Sequence, residues 1–189
     1  FYKAEKSETD LFYLFGVLAF SYASILSYLS IYSQQKDLLY LTSSFFAVFA
    51  IVMLVSRPFT GRIFDEKGPR YIIIPGLVFF MFGLILLAYM DSPFTFLLSG
   101  AFIGLGYGAI VPSFQTLAIQ STTHERSGYA TATFFTLFDT GIAIGSFILG
   151  IVASKLGYQG LYLLSSGIVA LTLIVFLMQM KRLRANLNR

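Results

Sequence analysis

The sequence predicts an all-α integral membrane fold of six transmembrane helices. Three observations predict it: scarce charge, six apolar runs of spanning length, and basic residues gathered at alternate gaps between those runs. Hydrophobic residues make up 57% of the 189-residue chain and charged residues 12%, about half the charged fraction of a soluble domain. Mean hydropathy is +0.77, so lipid is the expected solvent. The net charge of +4 comes from basic residues that flank apolar runs without forming a continuous patch, which argues against nucleic acid as a partner. With no cysteine, disulfides, thiolate chemistry and cysteine-based metal sites are excluded, and the single histidine, His124, makes no metal site without help from carboxylates. The chain begins at Phe1 without a signal-peptide pattern, so a piece of a longer protein is expected.

A membrane-crossing helix needs about 20 mainly apolar residues, because the hydrocarbon core is about 30 Å thick. Hydropathy places six at 11–33, 38–56, 71–90, 94–118, 127–153 and 160–180, within a single domain over 1–189. The first carries Ser21, Tyr22, Ser24, Ser27, Tyr28 and Ser30, and the second has Thr42, Ser43 and Ser44 near one end. The third is almost wholly apolar. The fourth carries Tyr107, Ser113, Gln115 and Thr116 around Pro112, a residue expected to loosen or kink it. The fifth carries Thr131, Thr133, Thr136, Asp139 and Thr140, and the sixth is again nearly all apolar. Polar groups in hydrocarbon are costly unless they face protein or water. The first, fourth and fifth spans are therefore expected around an internal cavity, the third and sixth towards lipid, and the second between these extremes.

Six spans put both ends of the chain on one side. Lys3, Lys6, Arg57, Arg62, Lys67, Arg70, Arg126, Lys181, Arg182, Arg184 and Arg189 then share that side, against Lys36 and Lys155 on the other. Positive residues stay cytoplasmic, so both termini are expected inside, with a plasma (inner) membrane location.

Asp139 lies near the midpoint of the fifth span, where an acidic side chain costs about 2.5–3.5 kcal/mol on insertion scales. Its helical face carries Phe135 and Thr136 before it, and Ala143 and Ser146 after it. No lysine, arginine or other acid lies deep in any span. A carboxyl that is neutral when dry and ionised when wetted can carry a proton, and structural hydrogen bonding to a neighbouring helix is the plainer alternative. Behind that face Gly141 and Gly145 form a small-xxx-small pair, as do Gly100 and Gly104 in the fourth span. Such pairs serve close helix packing, whether static or sliding.

The gap after the second span reads GRIFDEKGPR, Gly61 to Arg70. Its Gly61, Arg62, Asp65, Gly68 and Arg70 resemble the loop of the major facilitator superfamily: glycine, three residues, aspartate, then a basic residue near a second glycine. Glu66 and Pro69 stand where that pattern usually has basic residues. The stretch from Gly106 to Gly150 is similar to the tenth and eleventh helices of the superfamily's drug- and sugar-efflux members. The resemblance covers essentially the whole chain and implies the C-terminal half of a twelve-helix fold, with the N-terminal six-helix half absent from this sequence.

That resemblance implies a secondary transporter, not an enzyme, working by alternating access. Its efflux branch implies exchange of an outgoing solute for a proton, with no cofactor beyond that coupling ion. Asp139 is the expected proton carrier. Ser24, Tyr28, Tyr107, Gln115, Phe135 and Thr136 are the expected solute contacts from polarity and helical face. The resemblance makes Asp65, Arg62 and Arg70, with Gly61 and Gly68, a conformational latch. Partners follow: the bilayer, a small solute, and a second six-helix half or a second copy of this chain. An importer on the same scaffold, or a bilayer-embedded interaction subunit, are the alternatives. The triplet Asp139-Thr140-Gly141 spells an aspartic-protease motif, but that chemistry needs two carboxylates. Leu105-Gly106-Tyr107-Gly108 suggests a channel filter, yet it sits inside a complete span.

Overall fold

A computed structural model describes the backbone of residues 2–120, 122 and 127–187, and side chains between 14 and 178. Lys3, Lys6, Lys181, Arg182 and Arg184 have undescribed side chains, and His124, Arg126 and Arg189 lie outside the described residues. The helices are α1 (Tyr2–Gln35), α2 (Thr42–Lys67), α3 (Arg70–Ala88), α4 (Pro93–Gln120) and a last segment, Ser127–Leu187. The apolar part of that segment, Ser127–Met178, is 52 residues long. At 1.5 Å per residue it would extend roughly 80 Å, more than twice the hydrocarbon core. Gly157, at φ 72° and ψ 175°, breaks it. We call its parts α5 (127–156) and α6 (158–187). Thr140 and Thr172 line the same groove, so the chain turns back on itself at Gly157 and the described residues form a bundle of six long helices.

Local chemistry sets the other ends. After α1 the amide of Leu38 donates to the Ser33 carbonyl at 2.8 Å, with Asp37 at φ 56°. This is a Schellman-like close, with aspartate in the left-handed position usually held by glycine. Gly68, at φ 91°, ends α2, and Pro69 leads into α3. Ahead of α4 the Thr95 amide donates to Ser92 Oγ at 3.2 Å, with Pro93 at the first helical position.

The span predicted at 38–56 is too short. Helix α2 runs on to Lys67, so most of the expected loop is helix. Its Pro58 lies inside the helix, as membrane helices tolerate where neighbours re-satisfy the freed backbone. Thr60 Oγ1 donates back to the Arg57 carbonyl at 3.0 Å, and Arg62 pairs with Glu66 across one turn at 2.7 Å.

Helix α4 sits at the centre. It packs on α2 and α3, and buries Ser99, Gly104, Tyr107, Ile110 and Ser113 among others. Glycines permit this. A Cβ on Gly100 would lie 3.0 Å from the Phe45 ring, and one on Gly104 would lie 2.5 Å from the Phe49 carbonyl oxygen. A Cβ on Gly106 would meet the Phe80 amide at 2.5 Å. The second seam joins α1 to α5. There a Cβ on Gly141 would strike the Gly16 carbonyl, and one on Gly145 would lie 2.6 Å from the Phe20 carbonyl oxygen. Backbones at such separations have no room for a side chain.

Two placements differ from the sequence-based expectation. Helix α3 is no simple lipid cover, because Ile73, Leu77, Phe80 and Leu84 are buried and only one side, with Val78 and Phe82, is open. An all-apolar helix carries no mark separating protein from lipid. Helix α4 is the hub of the bundle rather than mainly a cavity wall, because its glycines draw neighbours onto several faces.

Candidate functional site

The polar side chain set apart from the rest is Asp139. It lies on an exposed face of α5 with Phe135, Thr136 and Ala143. Its carboxyl makes no hydrogen bond or ion pair with any described residue. The neighbouring hydroxyls are satisfied locally. Thr136 Oγ1 donates to the Ala132 carbonyl at 2.8 Å and Thr140 Oγ1 to the Thr136 carbonyl at 2.6 Å. Ser146, expected on the same stripe, turns to α1 and shares a 2.8 Å hydrogen bond with Ser27.

A second open side of α5 is of opposite character. Leu137, Thr140 and Ile144 form a groove of about 600 Å³ with Val17 and Phe20 of α1 and Leu171 of α6. Its threonines, Thr140 and Thr172, donate to their own helices, so the wall is apolar and suits lipid. The Asp139 face does not suit lipid, since a carboxyl group within a membrane span needs water or protein opposite it.

The other expected solute contacts fall in two further places. Gln115 borders a cleft of about 290 Å³ between α2 and α4, together with Arg57, Gly61, Asp65, Pro112 and Thr116. Ser24, Tyr28 and Tyr107 lie inside the bundle or in its seams. Ser24 is fully buried: its Oγ donates to the Ser21 carbonyl at 2.6 Å and its own carbonyl accepts from Tyr162 at 3.2 Å. Tyr28 reaches across the α1–α5 seam, donates to the Ser146 carbonyl and covers Gly150. Neither hydroxyl opens on a cavity of this half, because a hydroxyl on a transmembrane helix can be satisfied by its own or a neighbouring backbone. Tyr107 is buried against Tyr22 of α1, with ring centroids 4.0 Å apart.

The expected latch residues are also dispersed. Asp65 lines the α2–α4 cleft and pairs with no arginine among the described residues. Arg62 turns to Glu66 on its own helix, while Arg70 Nη2 donates to Tyr71 Oη at 2.7 Å and its guanidinium lies 4.5 Å from that ring's centroid. A Cβ on Gly61 would meet nothing within 4 Å, whereas Gly68 needs its glycine for a positive φ. Two residues escaped the sequence reading. In the sequence Arg57 stands only as a loop charge, and Tyr22 only as one polar residue of a span. Neither the cleft nor the ring stack has a local sequence signal.

The described basic residues Arg57, Arg62, Lys67 and Arg70 occupy the end of the bundle with the α2–α3 turn, while Lys36 and Lys155 lie at the opposite end. The sequence matches the Major Facilitator Superfamily over residues 11–188. The chain belongs to that superfamily. It is thus part of a multi-pass integral membrane protein of a transporter family, not an enzyme. Its relatives include "Multidrug resistance protein MdtG" of Dickeya zeae (strain Ech586), 24% identical over 79% of this chain and 36% of that protein. The protein of the same name from Klebsiella pneumoniae (strain 342) is 25% identical over 78% of this chain and 36% of its own length. The one from Escherichia coli O17:K52:H18 is 23% identical over 88% and 42%. This superfamily chain spans well under half the length of the relatives it matches.

Proposed function

We propose that this chain is one six-helix half of a proton-coupled efflux transporter. It rocks against a second six-helix half, opening a midplane site first to one side of the membrane and then to the other. Asp139 carries the exchanged proton. The observation that supports this most is its carboxyl, exposed and unpartnered on the polar face of a membrane-spanning helix. A face that suits neither lipid nor this half's own core suits a wetted passage at the junction with the second half. Alternate wetting and drying of that passage would let the carboxyl release and take up a proton.

Phe135 and Thr136 flank Asp139 and touch the solute. Gln115 serves a path that continues into the α2–α4 cleft. Asp65, Arg62 and Arg70, with Gly61 of α2 and the turn at Gly68, form the latch through contacts to the second half. The basic end faces the cytoplasm, so both termini lie inside the plasma (inner) membrane. The efflux direction rests on the relatives named for multidrug resistance.

The test uses the complete transporter containing this chain in inverted vesicles. Berberine and ethidium are added, and proton release is followed with a pH dye. Release in the wild type that Asp139→Asn abolishes, with probe binding kept, is the expected result. Equal release from both proteins would remove Asp139 from the coupling step.

A further inference from the structure

Among the described residues two buried hydroxyls have no hydrogen-bond partner, Ser165 Oγ and Tyr107 Oη, and the second lies within a cluster of aromatic rings from α1, α2 and α3. Its residue is 7% exposed, and the hydroxyl makes no hydrogen bond among the described residues. A buried phenol normally finds a partner, so an orphan midway along α4 is a group awaiting one. The surrounding rings decide from where that partner can come. Phe80 of α3 lies 5.7 Å away and is fully buried, and Phe49 of α2 lies 6.4 Å away and is 9% exposed. Helix α2 cannot open a path, because Gly104 and Gly108 already set its Phe49 and Met53 backbone against α4.

The remaining neighbour is Tyr22 of α1. Its ring lies flat on Tyr107 at 4.0 Å and 14°. Unlike Phe49 and Phe80, it is only partly buried. Its own hydroxyl makes no hydrogen bond with a described residue, so nothing polar pins it. Tyr22 is therefore the cover that can move.

We propose that Tyr22 is a mobile cover over a solute subsite whose anchoring group is the Tyr107 hydroxyl. The subsite takes a planar solute carrying a hydrogen-bond acceptor. The solute's flat ring replaces the Tyr22 ring against Tyr107, and its acceptor receives the phenolic O–H. A planar solute with neither an acceptor nor a donor gains the stacking alone. This rests on the transport reading above and extends it to a residue, Tyr22, and to a chemical class.

The test measures binding of two planar cations to the complete transporter. Berberine bears ether oxygens as acceptors and no donor, whereas N-methylphenanthridinium, also a planar cation, bears neither an acceptor nor a donor. Tyr107→Phe should weaken berberine about 3- to 10-fold, the effect of one neutral hydrogen bond, and leave N-methylphenanthridinium unchanged. The same variant should not lower the melting temperature of the ligand-free protein, since it removes an unpartnered group. Tyr22→Ala, which removes the covering ring, should tighten binding of both probes, and unchanged affinity for both would overturn its role as a cover. Unchanged berberine affinity in Tyr107→Phe, equal losses for both probes, a lowered melting temperature, or no binding of either probe by the wild type would each overturn the proposal. Proton release abolished by Asp139→Asn, alongside unchanged berberine affinity in Tyr107→Phe, would sink this subsite and leave the exchange reading standing.

Discussion

Helices α1 and α5 are both rich in hydroxyls, and the structure uses them in opposite ways. In α1 the hydroxyls of Ser21 and Ser24 turn inwards to carbonyls of their own helix, while Ser27 and Tyr28 bind across to α5. In α5, Thr136 and Asp139 face outwards, although Thr136 also donates to its own backbone. The difference teaches that polarity within a membrane span does not by itself mark a passage. A serine or threonine can satisfy itself on the i−3 or i−4 carbonyl and then point anywhere. A carboxylate cannot, because it has no proton to donate when ionised. Asp139 is therefore the side chain whose outward placement carries functional information.

The seam joining the two helices offers the largest test of that contrast. If α1 and α5 are held rigidly by glycine contact, Gly141→Val should be severely destabilising, because the new side chain meets the Gly16 carbonyl and Ala19. Overpacking against backbone costs about 3 kcal/mol, read as a lower melting temperature or failed assembly. Gly128→Ala, where a Cβ meets nothing within 4 Å, should be neutral or slightly stabilising. A tolerated Gly141→Val would show that the seam can part, and that α5 moves independently of α1.

Much of the fold was legible because it depends on length and charge. The six spans could be read because lipid demands about 20 apolar residues per crossing. The chain reversal at Gly157 fell in the gap between the fifth and sixth runs. Two things could not be read. The continuation of α2 through Pro58 to Lys67 was hidden because proline, glycine and charge together resemble a turn. The directions of Ser24, Tyr28 and Tyr107 were hidden because hydroxyls lie all round α1 and apolar residues all round α4, so no period separates protein from cavity. Asp139 was legible from cost alone. The stack of Tyr22 on Tyr107 joins residues 85 positions apart, a relation that only the packed bundle brings about.

A smaller effect separates lining from packing directly. Phe135→Ala should weaken berberine about 3- to 10-fold through loss of an aromatic contact, with little change in stability, since the ring is 44% exposed. Tyr28→Phe should do the reverse. It removes the hydrogen bond to Ser146, lowers stability by about 1 kcal/mol, and leaves berberine affinity alone. Parallel melting and binding curves on the two variants check this. If Tyr28→Phe weakened binding without loss of stability, α1 would be a lining helix after all, and the contrast with α5 would fail.

The smallest effect lies at the far end of α1, which is tied down by charge as well as by hydroxyls. Lys36 Nζ donates to Asp91 Oδ1 at 2.6 Å, joining the turn after α1 to the turn before α4. That hydrogen bond raises the lysine above its ordinary value, against a smaller lowering by burial. A raised lysine stabilises fully below its unfolded value of about 10.5 and loses that contribution as pH climbs through the higher folded value. The side chains are 36% and 77% exposed, so solvent screening limits the pair to about 0.5 kcal/mol or less. Asp91→Asn should therefore lower the melting temperature slightly at pH 7, and the difference from wild type should shrink in strongly alkaline buffer and in high salt. A difference that persisted under both conditions would assign Asp91 to the turn before α4 itself, leaving the outer end of α1 held by Tyr32, whose hydroxyl donates to the Ala88 carbonyl at 2.8 Å.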